Sequence, residues 1–177
     1  SPGAATPCSS CSEWPPPYDH ILAPYIMDGG VRDVVFDLKY HGIRALAPDM
    51  GRLMARHLES ARLNPDLIVP VPLHRRRERE RGYNQAGLLA RVVSTRTGTH
   101  LGDDVLRRTD DAPPQVSMSG VEERRKNIEG AFECTADVRG RRVLLVDDVV
   151  TTGSTMAACA APLKAAGASA VWGLAFA

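Results

Sequence analysis

Residues 143–155 read VLLVDDVVTTGST, and that order leaves the chain few folds to choose from. Val143, Leu144, Leu145 and Val146 form an unbroken apolar run, the pattern of a strand covered on both faces. Asp147 and Asp148 follow at its carboxyl end, then Val149 and Val150, then Thr151, Thr152, Gly153, Ser154 and Thr155. The alanine-rich stretch beyond predicts a helix from Gly153 to Ala166 with Gly167 as its stop. Pro162 interrupts it and predicts a kink, because a proline costs about 3 kcal/mol in a regular helix interior. In an open α/β sheet, ligands sit outside the carboxyl ends of the strands. A helix amino terminus there presents unpaired N–H groups to an anion. Hydroxyls and a glycine let the backbone close on phosphate oxygens. Carboxylates repel phosphate but suit sugar hydroxyls or a hydrated Mg²⁺. Together these groups describe a sugar phosphate. A buried strand, an acidic turn and a capped helix without a ligand are the plainer reading of the same letters. The glycine–lysine pair of a P-loop is missing.

The rest of the chain alternates in the same way. Val31, Val34, Val35 and Leu38 have helical spacing, as do Leu46, Met50, Leu53, Met54 and His57, with a break near His41-Gly42. Leu67-Ile68-Val69 predicts a short strand running into Pro70-Val71-Pro72. Tyr83 to Thr97 predicts a third helix, stopped by Gly98. A short charged helix is expected over Val121 to Ile128, a return to the sheet at Gly130-Ala131-Phe132, and a closing strand from Ala170 to Ala177. The expected fold is α/β, a mostly parallel sheet flanked by helices. Residues 1–24, centred on Pro15-Pro16-Pro17, are expected to be a proline-rich lead segment, and residues 25–177 the domain. A chain of 177 residues suits one such domain.

A formal charge of +1 gives the molecule no strong overall field, so any electrostatic recognition must come from local clusters. No apolar run reaches membrane-spanning length, and the first twenty residues lack the basic and apolar regions of a signal peptide. Cys134 and Cys159 stand alone in apolar surroundings, unlike a secreted disulfide framework. A cytoplasmic protein is expected.

Two further stretches carry charge. Residues 69–90, VPVPLHRRRERERGYNQAGLLA, follow a strand end with a proline-stiffened loop and arginines at 75, 76, 77, 79 and 81. Guanidinium forks there suit pyrophosphate. Glu78 and Glu80 interleave at helical spacing and can neutralise the run as a solvated face. Arg76, Arg77 and Arg79 read as that face, whereas Arg75 and Arg81, which flank the run, read as functional. Residues 107–132 include Arg124, Arg125 and Lys126, either a loop that folds over a polyphosphate or charges that only solubilise a surface loop.

The run from Val143 to Thr155 resembles the phosphoribosyl pyrophosphate (PRPP) signature of the type I phosphoribosyltransferases. Within that superfamily the chain resembles the ComF type, linked to bacterial competence and DNA uptake. The resemblance rests on Pro70-Val71-Pro72-Leu73, Arg77 and Arg81-Gly82-Tyr83-Asn84-Gln85, and on Thr109 with Gln115. Glu123-Arg124 with Asn127, Gly130-Ala131-Phe132 and Asp37-Leu38-Lys39-Tyr40 also fit. Glutamine-dependent amidophosphoribosyltransferases share a similar VPVP loop and PRPP motif.

The resemblance implies PRPP bound with Mg²⁺, and a small hood near residues 25–60 on the acceptor side. Asp147 and Asp148 would hold the ribose hydroxyls, and Val149 to Thr155 would wrap the 5′-phosphate. Val71, Pro72 and Leu73 would offer backbone to pyrophosphate, with Arg75 or Arg81 as cationic help. Arg124, Arg125 and Lys126 would belong to the closing loop. One expectation is a phosphoribosyltransferase with an unidentified acceptor. The other is a non-catalytic PRPP-binding module of DNA uptake that binds single-stranded DNA or a helicase. ComF-type chains also carry a zinc module of two CxxC pairs, and Cys8 with Cys11 supplies one pair, a partial Zn²⁺ site with His20 as a conceivable third ligand.

Overall fold

The computed structural model describes residues 15–109 and 130–177. Five parallel strands form the main sheet in the order β1-β7-β6-β2-β3: His20–Leu22, Ala170–Leu174, Arg142–Val146, Leu67–Pro70 and His100–Leu101. The register sets Leu67 opposite Val143 and Pro70 opposite Val146. All four residues of β2 are buried, as are Val143 to Val146 of β6. A strand can be apolar at every position only where both faces are covered.

Successive side chains of these strands feed two cores. Ile68, Leu144 and Val146 join Val35, Leu38, Met50, Met54, Leu58, Leu89 and Val93 on one face. Those residues come from α1 (Gly29–Tyr40), α2 (Ala47–Ser60) and α4 (Gln85–Thr97). Val69, Val143 and Leu145 join Met156, Cys159 and Leu163 of α5 (Ser154–Ala165) on the other. The helical spacings expected around residues 31–38 and 46–57 therefore mark genuine core faces. Gly42, at φ +70°, sits in the break between α1 and the short 3₁₀ turn Arg44–Leu46 that precedes α2. α4 begins at Gln85, two residues later than expected, because Asn84 Oδ1 accepts the Ala86 N–H at 3.0 Å as its cap. α5 runs through Pro162 to Ala165. Among the described residues no helix is long and apolar enough to cross a membrane.

Three expectations need correction. Residues 75–81, expected as part of a loop, form a short helix, α3 (Arg75–Arg81). It buries no side chain and is held by local bonds, Arg76 Nε to Glu80 Oε1 at 2.8 Å and the Arg76 N–H to His74 Nδ1 at 3.1 Å. A helix without an apolar stripe leaves no periodic signal, and only its charge spacing announced it. Phe132 does not return to the main sheet. β5 (Phe132–Cys134) pairs antiparallel with β4 (Leu106–Arg108) in a separate ribbon that packs on the second core. Third, His20–Leu22, placed in the irregular lead segment, is an edge strand beside β7. Asp19 anchors it: its carboxylate accepts from Lys164 Nζ at 2.8 Å and from the Val171 N–H at 2.7 Å. Three residues are too few to show alternation, and the pairing partner lies 152 positions downstream. Closing strand β7 ends at Leu174, and Ala175 to Ala177 continue as buried, non-strand chain.

Candidate functional site

The chain leaves β2 toward β3 on one side of the sheet and, after the ribbon, re-enters at β6 on the other side of β2. From β6 it moves on to β7, away from β2. The strand order therefore reverses between β2 and β6, and a crevice opens outside their carboxyl ends. Val71 to His74 lines one lip and Asp147 to Thr155 the other.

Along the second lip, Asp148 is 3% exposed, and its Oδ2 lies 3.1 Å from Lys39 Nζ. That contact is an ion pair outside hydrogen-bonding geometry, since Oδ2 has no hydrogen-bond partner. Burial and the adjacent Asp148 carboxylate hold the Asp147 carboxyl well above the usual carboxylate range. Asp147 Oδ1 accepts the Asp148 N–H at 2.8 Å. The backbone behind them is pinned by the chain's last residues. Phe176 N–H donates to the Asp148 carbonyl at 3.0 Å, and Val150 N–H to the Ala177 carbonyl at 2.8 Å.

Val149 packs on the first core and Val150 on the second, so these two valines have only backbone to offer a ligand. Thr151, Thr152 and Thr155 are exposed. Gly153 is the α5 cap at φ +74°, a conformation that favours glycine. Thr152 Oγ1 and Ser154 Oγ are 2.8 Å apart. Asp147 and the loop from Val149 to Met156 enclose a small pocket of about 40 Å³ at the start of α5, where first-turn N–H groups lack helical acceptors. The arrangement can hold an anion at the loop and hydroxyl groups at the carboxylates.

The first lip is less generous than expected. Val71 donates its N–H to the Val146 carbonyl at 2.9 Å, and its own carbonyl accepts from Asn84 Nδ2 at 3.0 Å. Pro72 has no N–H, so the backbone donor of the predicted trio is Leu73. Arg75 and Arg81 do not converge. Arg75 lines one cavity with His74, Glu78 and Arg79. Arg81 lines another, of about 520 Å³, with Lys39, Tyr40, His41, Gly42, Arg77 and Glu80. Arg77, read from sequence as a solvated face, shares the cavity of Arg81. Arg124, Arg125 and Lys126, and Cys8 with Cys11, lie outside the described residues. Among the described residues no cluster of three His, Cys, Asp or Glu side chains could hold a metal ion. Cys134 and Cys159 are free thiols.

Lys39, inside the Asp37-Leu38-Lys39-Tyr40 element, is a site residue that no local pattern signals. Arg108 is another, its half-buried guanidinium standing over the Phe132 ring at 5.4 Å with Nε unpaired. Burial and the charge of Arg77 hold the Arg108 pKa below its ordinary value.

An open parallel sheet with a crevice at its strand-order reversal is a doubly wound α/β fold. A family model for the phosphoribosyl transferase domain matches residues 39–175, and the chain belongs to that family. The DNA utilization protein YhgH of Escherichia coli K12 is 34% identical over 170 residues, covering 93% of this chain and 74% of that protein. Competence protein F of Haemophilus influenzae is 31% identical over 180 residues, covering 95% and 77%. These relatives place the chain in the ComF-type branch. A glutamine PRPP amidotransferase from B. subtilis, solved with ADP and GMP, superimposes with a TM-score of 0.50 at 21% identity. That match spans 72% of this chain but a quarter of the amidotransferase, and it speaks to the fold alone.

Proposed function

We propose that the protein binds PRPP with Mg²⁺ in the β2–β6 crevice and transfers its phosphoribosyl group to an acceptor. One observation carries the reading: Asp147, the buried Asp148 and the hydroxyl loop of Thr151 to Thr155 share one lip of the crevice at the strand-order reversal. The loop takes the 5′-phosphate, Asp147 and Asp148 take the ribose 2′ and 3′ hydroxyls, and Leu73 N–H with Arg75 takes the pyrophosphate. Arg124, Arg125 and Lys126 supply it with further cations. Mg²⁺ keeps several waters and binds through one or two carboxylates plus substrate phosphates. Asp147 and Asp148, one with a buried oxygen free of hydrogen bonds, fit that demand without a protein cage. When bound, the ion supplies charge neutralisation for pyrophosphate.

In transfer, an acceptor nitrogen bonds to the anomeric carbon as the carbon–oxygen bond to pyrophosphate breaks. Pyrophosphate leaves with that electron pair, and the nitrogen releases its proton. The protein contributes position and electrostatics rather than a covalent intermediate. Calorimetry with Mg-PRPP tests the site. Asp148→Asn and Thr152→Ala should each weaken binding roughly tenfold, as the loss of a charged or well-placed hydrogen bond does. Unchanged affinity in both variants overturns the assignment. Pyrophosphate release across a panel of nitrogen bases tests transfer.

A second reading, a binding module for single-stranded DNA, is favoured by Phe36 and Tyr40. They are 51% and 63% exposed with ring centroids 4.4 Å apart, beside the arginines of α3. Bases stack on such rings, and arginines track a phosphate backbone. It predicts binding with a steep salt slope that Phe36→Ala weakens. The cysteine pair Cys8 and Cys11 adds the proposal of a Zn²⁺ site, which metal analysis of the protein tests.

A further inference from the structure

We infer that the cavity between the end of α1 and α3 is the acceptor subsite, and that the acceptor is a ring compound carrying a carboxylate or similar anionic group. The inference rests on the PRPP reading and names the substrate class for that site. Its volume, about 520 Å³, lies in the range of small-molecule sites. It adjoins the ribose carboxylates, because Lys39, one of its lining residues, places Nζ 3.1 Å from Asp148 Oδ2. An acceptor must approach the anomeric carbon from beside the ribose, and this cavity meets the ribose carboxylates through Lys39.

Its charge is unbalanced. Arg77 and Arg81 contribute two cations, Lys39 being already paired with Asp148, and Glu80 is the one carboxylate in the lining. Glu80 is already engaged, with Oε1 accepting from Arg76 Nε at 2.8 Å. His41 is engaged as well, through Asp37 Oδ1 at 2.7 Å. Arg81 Nη1 is buried with no hydrogen-bond partner, a donor that an anionic oxygen would satisfy. Tyr40 forms a flat wall, with the Arg81 guanidinium 5.5 Å from its ring centroid. A planar ring can lie against that wall while its carboxylate meets Arg77 and Arg81.

The test is calorimetric binding of 2-aminobenzoate and its neutral analogue 2-aminobenzamide to the full chain, with and without saturating Mg-PRPP. Aminobenzoate should bind at least about tenfold more tightly than the amide, the usual yield of one charge-assisted hydrogen bond. Arg77→Gln, at an exposed helix position, should abolish that preference, and Arg77→Lys should restore part of it. Mg-PRPP affinity should be the same in both variants. No aminobenzoate binding, equal affinity for the two probes, or a preference that survives Arg77→Gln overturns the inference. So does loss of Mg-PRPP affinity in Arg77→Gln, or displacement of aminobenzoate by pyrophosphate alone, since either assigns the cations to pyrophosphate. Failure of Mg-PRPP to bind the unaltered chain overturns the PRPP reading instead, and the probe comparison in ligand-free protein still tests the cavity's charge selectivity.

Discussion

Lys39 Nζ stands 3.1 Å from Asp148 Oδ2, so the end of α1 is tied by charge to the loop that follows β6. Asp148 is almost wholly buried, whereas the Lys39 side chain keeps 23% of its surface in water. Replacing Lys39 with Met leaves a buried carboxylate without its counter-charge. Such losses cost about 3–5 kcal/mol when both partners are buried, and water at Lys39 reduces this to about 1–3 kcal/mol. Urea unfolding of Lys39→Met should show that loss. The double variant Lys39→Met/Asp148→Asn should recover most of it, and additive losses would refute the pairing.

Tyr83 donates its hydroxyl to the Leu38 carbonyl, an acceptor in the last turn of α1 without an intrahelical partner. The Arg44 guanidinium covers the Tyr83 ring at 4.5 Å and bonds the Gly82 carbonyl at 3.0 Å. Tyr83→Phe keeps the ring and removes only the donor. The expected cost is about 1–2 kcal/mol, read as a lower urea midpoint with an unchanged slope.

Gly153 holds φ +74° at the start of α5, and a Cβ there would come within 2.6 Å of the Tyr18 hydroxyl. Gly153→Ala therefore combines left-handed backbone strain of about 1–2 kcal/mol with a contact that Tyr18 must move to relieve. A lower melting temperature and weakened Mg-PRPP binding are expected. Adding Tyr18→Ala should return part of the stability and little of the binding, because the distorted loop remains.

Asp66 and Arg142 close the opposite end of the sheet. Arg142 donates from Nη2 to Asp66 Oδ1 at 2.7 Å and from Nε to Oδ2 at 3.0 Å. Hydrogen bonds from the Arg142 side chain and backbone lower the Asp66 pKa to about 2. The folded-state pKa is depressed, so the bond stabilises the fold fully above the unfolded value near 3.8 and is lost as pH falls through about 2. Melting temperatures of the parent and Asp66→Asn should differ at pH 6 and converge between about pH 4 and 2. A gap that stays constant over that window would count against the depressed pKa.

Strand β6, its two carboxylates and the α5 start were legible as letters because each obeys a local rule. An apolar run means two-sided burial, and a glycine among hydroxyls before alanines marks a helix start. The core faces of α1, α2 and α4 were legible for the same reason, since apolar spacing records which side meets the sheet. Helix α3 was not, because it buries nothing, and strand β1 was not, because three residues carry no period.

By itself, then, the sequence determined the α/β class, the residues that face the cores and the chemistry of the Asp147–Thr155 lip. All of these depend on neighbours in the chain. Only the tertiary structure decided that Lys39 meets Asp148, 109 positions away, and that Val71 spends its backbone on Val146 and Asn84. Those pairings follow from strand order and helix packing, which bring together groups that no local pattern connects.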